Sequence, residues 1–163
     1  HGYDQVSIKD VAEAADVSTT TVFKHFPGKE ALVFDEEDEY EARLVAVVRD
    51  RPQGQSVLAA LRDHVLHSYF RTSDNASFTA FRELIAETPA LRAYSHRMWM
   101  RHETAVAQAI AEDAGLPADD LSAAALAHFA LESTALTHDR DNPRAAVEAA
   151  FELLEHGWQV LRP

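Results

Sequence analysis

Cysteine is absent from this chain of 163 residues, which excludes disulfides, thiolate catalysis and cysteine-ligated zinc. Glycine and proline are scarce, at 5 and 6 residues. No apolar run reaches the ~20 residues that a membrane helix needs, and no secretion signal opens the chain. Because 47% of the residues are hydrophobic and 26% are charged, we expect an ordinary globular protein of the cytoplasm.

Basic residues are also few, since 15 Lys and Arg stand against 27 Asp and Glu, for a formal net charge of −12. Phosphate binding needs clustered Lys and Arg, so the surface as a whole is not expected to attract nucleic acid. Residues 35–41 contribute six acids and no base, and we interpret this acidic run as a solvated helix face. The first 34 residues carry three lysines against five acids. Any contact with DNA must therefore come from a small local surface.

Hydrophobic periodicity is helical along nearly the whole chain, and no segment alternates strictly as a half-buried strand does. We therefore predict an all-α fold. A small N-terminal module, residues 1–34, is expected to precede a helical body, residues 35–163, with the acidic run as the connecting helix. Cap residues and helix breakers predict helices at about 7–14, 18–25, 28–51, 55–72, 76–87, 89–114, 118–138 and 143–161.

The first two predicted helices are joined by three residues, an arrangement shared by helix-turn-helix units and by ordinary helical hairpins. The second helix begins at the cap residue Ser18 and opens with three threonines. These side chains are small enough for the ~12 Å major groove and offer methyls to thymine and hydroxyls to phosphates or base edges. Val22 and Phe26 lie on the opposite side, where we expect them to pack against Val11, Ala12 and Ala15 of the first helix.

The segment VSIKDVAEAADVSTTTVFKHFPGKEAL, residues 6–32, resembles the DNA-binding signature of the TetR family of bacterial transcription regulators. Its Ser-aliphatic-x-Asp-Val-Ala opening, its Val-Ser cap, its aromatic-x-x-Phe-Pro and its closing Lys-Glu-Ala-Leu all fall at the family's spacing. Two positions depart from the pattern, because Phe23 replaces the usual tyrosine and Asp16 replaces a common glycine. Only His1 to Tyr3 match the end of the family's first helix, so we expect further residues before His1 in the intact protein.

The resemblance implies a one-component, homodimeric regulator, expected to be a repressor, that binds a palindromic operator in double-stranded DNA. A small, largely apolar or acyl-type ligand is expected to modulate this binding through a population shift. Ser7 and Lys29 fall at phosphate-contacting positions, and Lys24 is the candidate charged contact in the groove. The predicted DNA-binding residues are Ser7, Ser18, Thr19, Thr20, Thr21, Phe23, Lys24, His25 and Lys29.

Aromatic and methionine residues of the middle helices suit an apolar ligand pocket, although ordinary core packing uses the same residue types. The predicted pocket residues are Tyr69, Phe70, Phe78, Phe81, Tyr94, Met98, Trp99, Met100, His102 and Phe129. An alanine-rich helix and a final helix with one apolar stripe are, by the resemblance, the dimer face, with intrachain core as the alternative. The predicted interface residues are Ala124, His128, Ala135, Val147, Phe151, Leu154 and Trp158.

Nine histidines raise the question of a metal or catalytic site. His64 with His67, and His128 with Glu132, lie at helical spacing, but neither pair has an identifiable third ligand. No HExxH arrangement, phosphate loop or nucleophile with a base is present, so we predict no metal, no cofactor and no enzymatic activity. The rival hypothesis is a helical small-molecule-binding or scaffold protein of the same fold that has lost DNA binding.

Overall fold

The structure, a computed structural model, describes residues 2–72, 76–137 and 140–157, without the side chains of residues 69–72. Over these residues the chain is helical and has no strand, which confirms the predicted all-α fold. The division into an N-terminal module and a body stays a prediction. The eight α-helices are α1 (Ile8–Ala14), α2 (Thr19–His25), α3 (Glu37–Arg49), α4 (Val57–Thr72), α5 (Ala76–Glu87), α6 (Pro89–Ala114), α7 (Leu121–Glu132) and α8 (Pro143–His156).

The predicted long helix at 28–51 is wrong, because the chain breaks between a 3₁₀ turn at Glu30–Leu32 and the start of α3 at Glu37. Phe34 lies in this break and is buried. Three acids, Glu37, Asp38 and Glu39, occupy the first turn of α3. Acidic side chains stabilise the positive end of the helix dipole, so the acidic run marks a helix start rather than a helix interior.

The scaffold of the body is α6, whose 26 residues extend from Pro89 to Ala114 as predicted. Pro89 suits the first helical turn, where its missing N–H is not needed. Gly115 ends the helix with a φ of 67°, a left-handed angle that glycine adopts without a steric penalty. The Leu116 N–H then donates to the carbonyl of Ala111 at 2.8 Å. Helices α3, α5 and α7 all pack against α6.

The helix predicted at 118–138 is shorter in the structure, because α7 ends at Glu132 and continues as a 3₁₀ turn at Ser133–Thr137. Hydroxyl groups account for the tightening. The Ser133 hydroxyl donates to the carbonyl of Ala130 at 2.7 Å, and the Thr137 hydroxyl donates to that of Thr134 at 2.6 Å. Side chains that bond to nearby carbonyls compete with the regular helix pattern.

The last helix, α8, begins where the sequence predicts, because the Asn142 side chain accepts from the Ala145 N–H at 3.1 Å and Pro143 follows the cap. It ends at His156, ahead of Gly157. The remainder of the predicted helix, residues 158–161, lies outside the described residues. In the part of the chain that the structure describes, no helix has the length and apolar character to cross a membrane.

A single hydrophobic core joins α3, α4, α6, α7 and α8. Its larger buried side chains are Leu44, Val48, Leu61, Val65, Val106, Ile110, Leu131, Val147 and Phe151. The C-terminal ends of α3 and α6 are joined at the surface of this core, since Arg51 donates to both carboxylate oxygens of Asp113 at 2.8 and 2.7 Å. Hydrogen bonding by Arg51 lowers the pKa of Asp113. This two-pronged pair fixes the end of α3 against α6.

Candidate DNA-binding surface, aromatic joint and cleft

Helices α1 and α2 are each started by a serine that caps the helix with its side chain. The Ser7 hydroxyl accepts from the Asp10 N–H at 3.2 Å, while the Asp10 carboxylate accepts from the Ser7 N–H at 2.7 Å. This reciprocal pattern is a capping box. The Ser18 hydroxyl accepts from the Thr21 N–H at 3.0 Å. Both helix starts therefore follow from residues within three positions in the sequence.

The connection between α1 and α2 makes a sharp turn at Asp16, whose φ is 55°. Aspartate adopts this left-handed angle more readily than most residues, which explains how the chain does without the glycine of the family pattern. The packing between the two helices uses fewer residues than predicted. Ala12 and Val22 are buried and Phe26 is partly buried, but Ala15 is exposed and takes no part in the small core.

One face of α2 is open to solvent along its whole length. The Phe23 ring is 53% exposed, a large apolar side chain left outside the core. Lys24 lies in the last turn and is also exposed. The remaining exposed predicted contacts on this helix are Thr19, Thr20, Thr21 and His25. The helix thus presents three small hydroxyl side chains, an aromatic ring and a lysine on a surface that nothing in the described chain covers.

The two predicted phosphate contacts at the edges of this unit already have internal partners. The Ser7 hydroxyl donates to the Asp10 carboxylate at 2.7 Å. The Lys29 ammonium group lies 3.9 Å from the centroid of the Tyr3 ring and donates to the Tyr3 carbonyl. Burial and the nearby Glu30 raise the pKa of Tyr3 to about 12. Any phosphate contact by Ser7 or Lys29 would share or replace these bonds.

Two of the predicted pocket aromatics pack against Phe34, the last residue of the predicted N-terminal module. Phe34 stacks on Tyr94 at a centroid distance of 5.2 Å and meets the edge of Phe81 at 5.8 Å. Phe78 in turn lies 6.4 Å from Phe81. These rings fill the space between α5, α6 and the break before α3, so they do not line an empty pocket.

A second group of rings fixes the start of α3 on α6. Tyr40 of α3 stacks on Trp99 of α6 at 6.2 Å and lies 5.5 Å from the His102 ring. Phe34 and Tyr40 were not predicted as part of this cluster, because an aromatic residue next to an acidic run does not belong to a periodic pattern of apolar residues. We call the set Phe34, Tyr40, Phe81, Tyr94, Trp99 and His102 the aromatic joint.

His102 is the one ionisable member of the joint that is fully enclosed, with 1% of its side chain exposed. Burial lowers the pKa of His102, while the carboxylates of Glu41 and Glu37 on α3 oppose this effect and Arg101 adds to it. The imidazole is therefore neutral at neutral pH. Glu37 itself pairs with Arg101 at 3.0 Å, which adds a polar link between α3 and α6 next to the rings.

An open cleft of about 360 Å³ adjoins the joint on the other side of Trp99. Its described lining residues are Ile85, Arg92, Ser95, His96, Trp99 and Glu132. Of the predicted pocket residues whose side chains the structure describes, only Trp99 lines this cleft. Ile85 and the four polar or charged lining residues were not predicted, because the predicted pocket was composed of aromatic and methionine side chains. Arg92, Ser95, His96 and Trp99 follow the i, i+3, i+4, i+7 spacing of one helix face, a signal that was available in the sequence.

Several other predicted pocket residues lie elsewhere. Met100 and Phe129 are 55% and 57% exposed and do not line the cleft, so their place in a ligand pocket stays a prediction. Met98 is partly buried on α6 but does not line the cleft. The side chains of Tyr69 and Phe70 lie outside the described residues.

The predicted dimer residues divide into two groups. Val147 and Phe151 are 0% and 2% exposed within one chain, so assigning them to a subunit interface is wrong, and the alternative of intrachain core holds for them. Leu154 packs partly against the same core. Ala124, His128 and Ala135 are exposed. Trp158 lies outside the described residues.

The exposed residues of the predicted dimer interface have large apolar neighbours that were not predicted from the sequence. Leu121, Phe129 and Leu136 are 82%, 57% and 54% exposed. We call these three residues, together with Ala124, His128 and Ala135, the α7 face. Within it, His128 Nδ1 lies 3.0 Å from a carboxylate oxygen of Glu103, and this hydrogen bond raises the pKa of His128. Among the described residues, no three side chains of the metal-binding types come together.

Comparison with known families agrees with this geometry at both ends of the chain. Residues 1–35 match the model of the bacterial regulatory proteins of the tetR family. Residues 55–160 match the model of the MftR C-terminal domain, which covers more than half of the chain. The chain belongs to the TetR family of bacterial regulatory proteins.

Two curated relatives are similar over most of this chain. One is MftR of Mycobacterium tuberculosis, a transcriptional regulator named for mycofactocin biosynthesis, which is 28% identical over 118 residues, or 71% of this chain and 59% of MftR. The other is the HTH-type transcriptional regulator TcmR of Streptomyces glaucescens, which is 28% identical over 126 residues, or 73% of this chain and 56% of TcmR. This chain thus spans less than two thirds of either relative. Because both are named as regulators, the comparisons agree with the prediction that the chain is not an enzyme.

Proposed function

We propose that this chain is the greater part of a homodimeric transcriptional repressor that binds a palindromic operator through α2 and responds to a small ligand. The observation that carries the proposal is the exposed face of α2. A helix capped by Ser18 and held by the buried Val22 presents threonines, Phe23 and Lys24 to solvent. Side chains of this size can reach base edges in the major groove, and a helix N-terminus favours contact with phosphate.

The acidic balance of the chain is compatible with this role if binding depends on a few contacts in each of two subunits. Lys24 is the exposed cation of α2, and the Ser18 cap places the helix start where backbone N–H groups can face a phosphate. A dimer doubles each of these contacts and matches the two half-sites of a palindrome. Three of the acids lie in the first turn of α3 and not on α2 itself.

Dimer formation is proposed to use the α7 face. An exposed set with three large apolar side chains, two on α7 and one on the 3₁₀ turn that follows it, is typical of an interaction site rather than of a solvated one. A second copy is the expected occupant, because a palindromic operator requires two reading helices related by a two-fold axis. On this proposal Val147 and Phe151 stabilise the interface by packing in the core of each subunit, and they do not contact the second copy.

Ligand response is proposed to pass through Trp99. Its side chain lines the cleft and also stacks on Tyr40 at the start of α3, the helix that follows the N-terminal module. A ligand that packs against the cleft side of Trp99 can therefore favour one position of α3 over another. Such a ligand changes DNA affinity only if it binds the two positions with different affinities.

The test begins with the intact protein and a selection from random duplex DNA, followed by binding measurements at several salt concentrations. We expect an inverted repeat. Lys24→Ala should weaken binding at least tenfold and flatten its salt dependence, because a phosphate or groove cation is lost. Thr20→Ala should change sequence preference more than the salt slope. Lys9→Ala is the matched control, since Lys9 is an exposed lysine of the neighbouring helix that pairs with Glu13 at 3.6 Å.

Failure to select any sequence, with a folded dimeric protein, would overturn the DNA-binding proposal. The rival function, a ligand-binding protein without DNA binding, would then be favoured. Equal losses in Lys24→Ala and Lys9→Ala would show that only general charge matters and would refute the role given to α2.

A further inference from the structure

Two side chains of opposite charge line the cleft without neutralising each other. Arg92 comes from the first turns of α6 and Glu132 from the last residue of α7. Neither forms a salt bridge with a described residue, although charged pairs are found at several other places on this surface. The cleft lining therefore contains one positive and one negative side chain that form no salt bridge with each other.

Arg92 is positioned to bind an anionic group. Its Nη1 donates to the carbonyl of Ala86 at 2.5 Å, which ties the guanidinium to the end of α5. The other N–H groups are available to a carboxylate, and the planar fork of arginine matches the two oxygens of that group. His96 lies one helical turn further along α6 in the same lining, next to Ser95, and both can donate to an anion.

Glu132 and Trp99 together are suited to a cation. Glu132 is partly buried, and its carboxylate acts on His128 across the α7 surface but is not paired with it. The Trp99 ring forms the wall between the charged ends of the cleft and the aromatic joint. A carboxylate near an indole ring is a favourable environment for an ammonium group, since the ring face also attracts cations.

The charges also argue against a purely apolar ligand. Ile85 and Trp99 supply an apolar wall for a hydrocarbon body. A ligand with nothing else would cover Arg92 and Glu132 and remove water from two unpaired charges, which is costly. A ligand with a single charge would pair with one of these two side chains and leave the other unpaired.

We propose that the cleft takes a zwitterionic amphiphile, with its carboxylate at Arg92 and His96, its ammonium group at Glu132, and its apolar body against Trp99 and Ile85. This inference rests on the proposed ligand response, and it names the chemical class of the ligand. It keeps the apolar body of the largely apolar or acyl-type ligand expected from the sequence and adds both charges at one end.

Four probes with the same ten-carbon body test the proposal by calorimetry, each below the concentration at which it forms micelles. They are 2-aminodecanoic acid, decanoic acid, decylamine and decanol, which carry both charges, the negative one, the positive one and none. We expect 2-aminodecanoic acid to bind at least tenfold more tightly than any of the other three, because it alone satisfies both side chains.

Two variants test which side chain binds each charged group of the ligand. Arg92→Gln should weaken 2-aminodecanoic acid and decanoic acid about tenfold and leave decylamine unchanged, whereas Glu132→Gln should weaken 2-aminodecanoic acid and decylamine and leave decanoic acid unchanged. Arg62→Gln and Glu155→Gln are the matched controls, because these residues are charged surface positions that do not line the cleft. Neither control should change any affinity.

The outcomes separate this inference from the proposed function. Equal binding of decanol and 2-aminodecanoic acid, or no binding of 2-aminodecanoic acid, overturns the zwitterionic ligand class. If decanol alone shifts operator affinity, ligand response stands and the charge assignment fails. If 2-aminodecanoic acid binds as expected but operator affinity does not change, the site stands and the proposed ligand response fails.

Discussion

Helices α2 and α6 show two different ways in which this chain forms a helix. In α2, seven residues long, only Val22 is buried, and the rest of the helix faces solvent. In α6, 26 residues long, seven side chains are buried and three other helices pack against it. A seven-residue helix is too short to be stable alone in water. It therefore depends on its cap and its contact with α1, whereas α6 depends on packing with distant parts of the chain.

This difference predicts where substitutions act. Changes in the body should alter global stability, because its core joins five helices. Changes in α2 should alter local order and DNA binding while leaving the body folded. Four measurements can break or sharpen this distinction, and they are ordered from the largest expected effect to the smallest.

Phe151→Ala should lower the free energy of unfolding by about 3–5 kcal/mol, because it leaves a cavity in a packed core. Phe151 is 2% exposed in one chain, so the loss of stability should depend on protein concentration no more than the stability of the unmodified protein does. Chemical denaturation at two protein concentrations measures both quantities. Glu152→Ala, an exposed neighbour on α8, is the control. A small loss of stability that depends strongly on protein concentration would instead indicate that Phe151 lies at the subunit interface.

Ser18→Ala should destabilise α2 by about 1 kcal/mol, because the Thr21 N–H loses its acceptor. Amide hydrogen exchange should accelerate in α2 and remain unchanged in α6. Ser18→Asp restores a capping acceptor and should restore the slow exchange. Faster exchange throughout the body would contradict the independence of the two regions.

Stability should fall in acid through His102, which lies between α3 and α6. Its pKa is lowered from the ordinary 6.5 by burial, so below about pH 6.5 the unfolded chain takes up the proton first. The folded protein therefore keeps its full stability above about pH 6.5 and loses stability as the pH falls toward the lowered pKa of His102.

Unfolding measured between about pH 8 and pH 5 should show a shallower acid loss in His102→Gln than in the unmodified protein. An unchanged slope in His102→Gln would mean that the buried imidazole does not contribute to the acid response.

The smallest effect should come from His128 on the α7 face, and it has the opposite sign. The hydrogen bond to Glu103 raises the pKa of His128 above 6.5, so its stabilising contribution is complete below that value and is lost as the pH rises through the raised pKa. Since the His128 side chain is 53% exposed, solvent and salt should keep the effect small. His128→Gln should remove it, with His156→Gln as control, and a loss at low pH instead would refute the pairing.

The sequence by itself determined the features that depend only on residues close together in the chain. Ser7, Ser18 and Asn142 predicted helix starts because a capping side chain bonds to N–H groups two or three residues away. Gly115 and Pro89 predicted the bounds of α6 for similar short-range reasons. The N-terminal signature predicted the family, because spacing within a short segment does not depend on the rest of the fold.

The tertiary structure decided what depends on contacts between distant segments. Phe34 and Tyr40 lie close to each other in the sequence, yet their partners Tyr94 and Trp99 are on another helix, so only the packing of α3 on α6 revealed the aromatic joint. The apolar stripe of α8 was predicted correctly as a helix face, but periodicity cannot tell a face that meets its own core from one that meets a second chain. The cleft likewise exists only because α5, α6 and the end of α7 come together around Trp99.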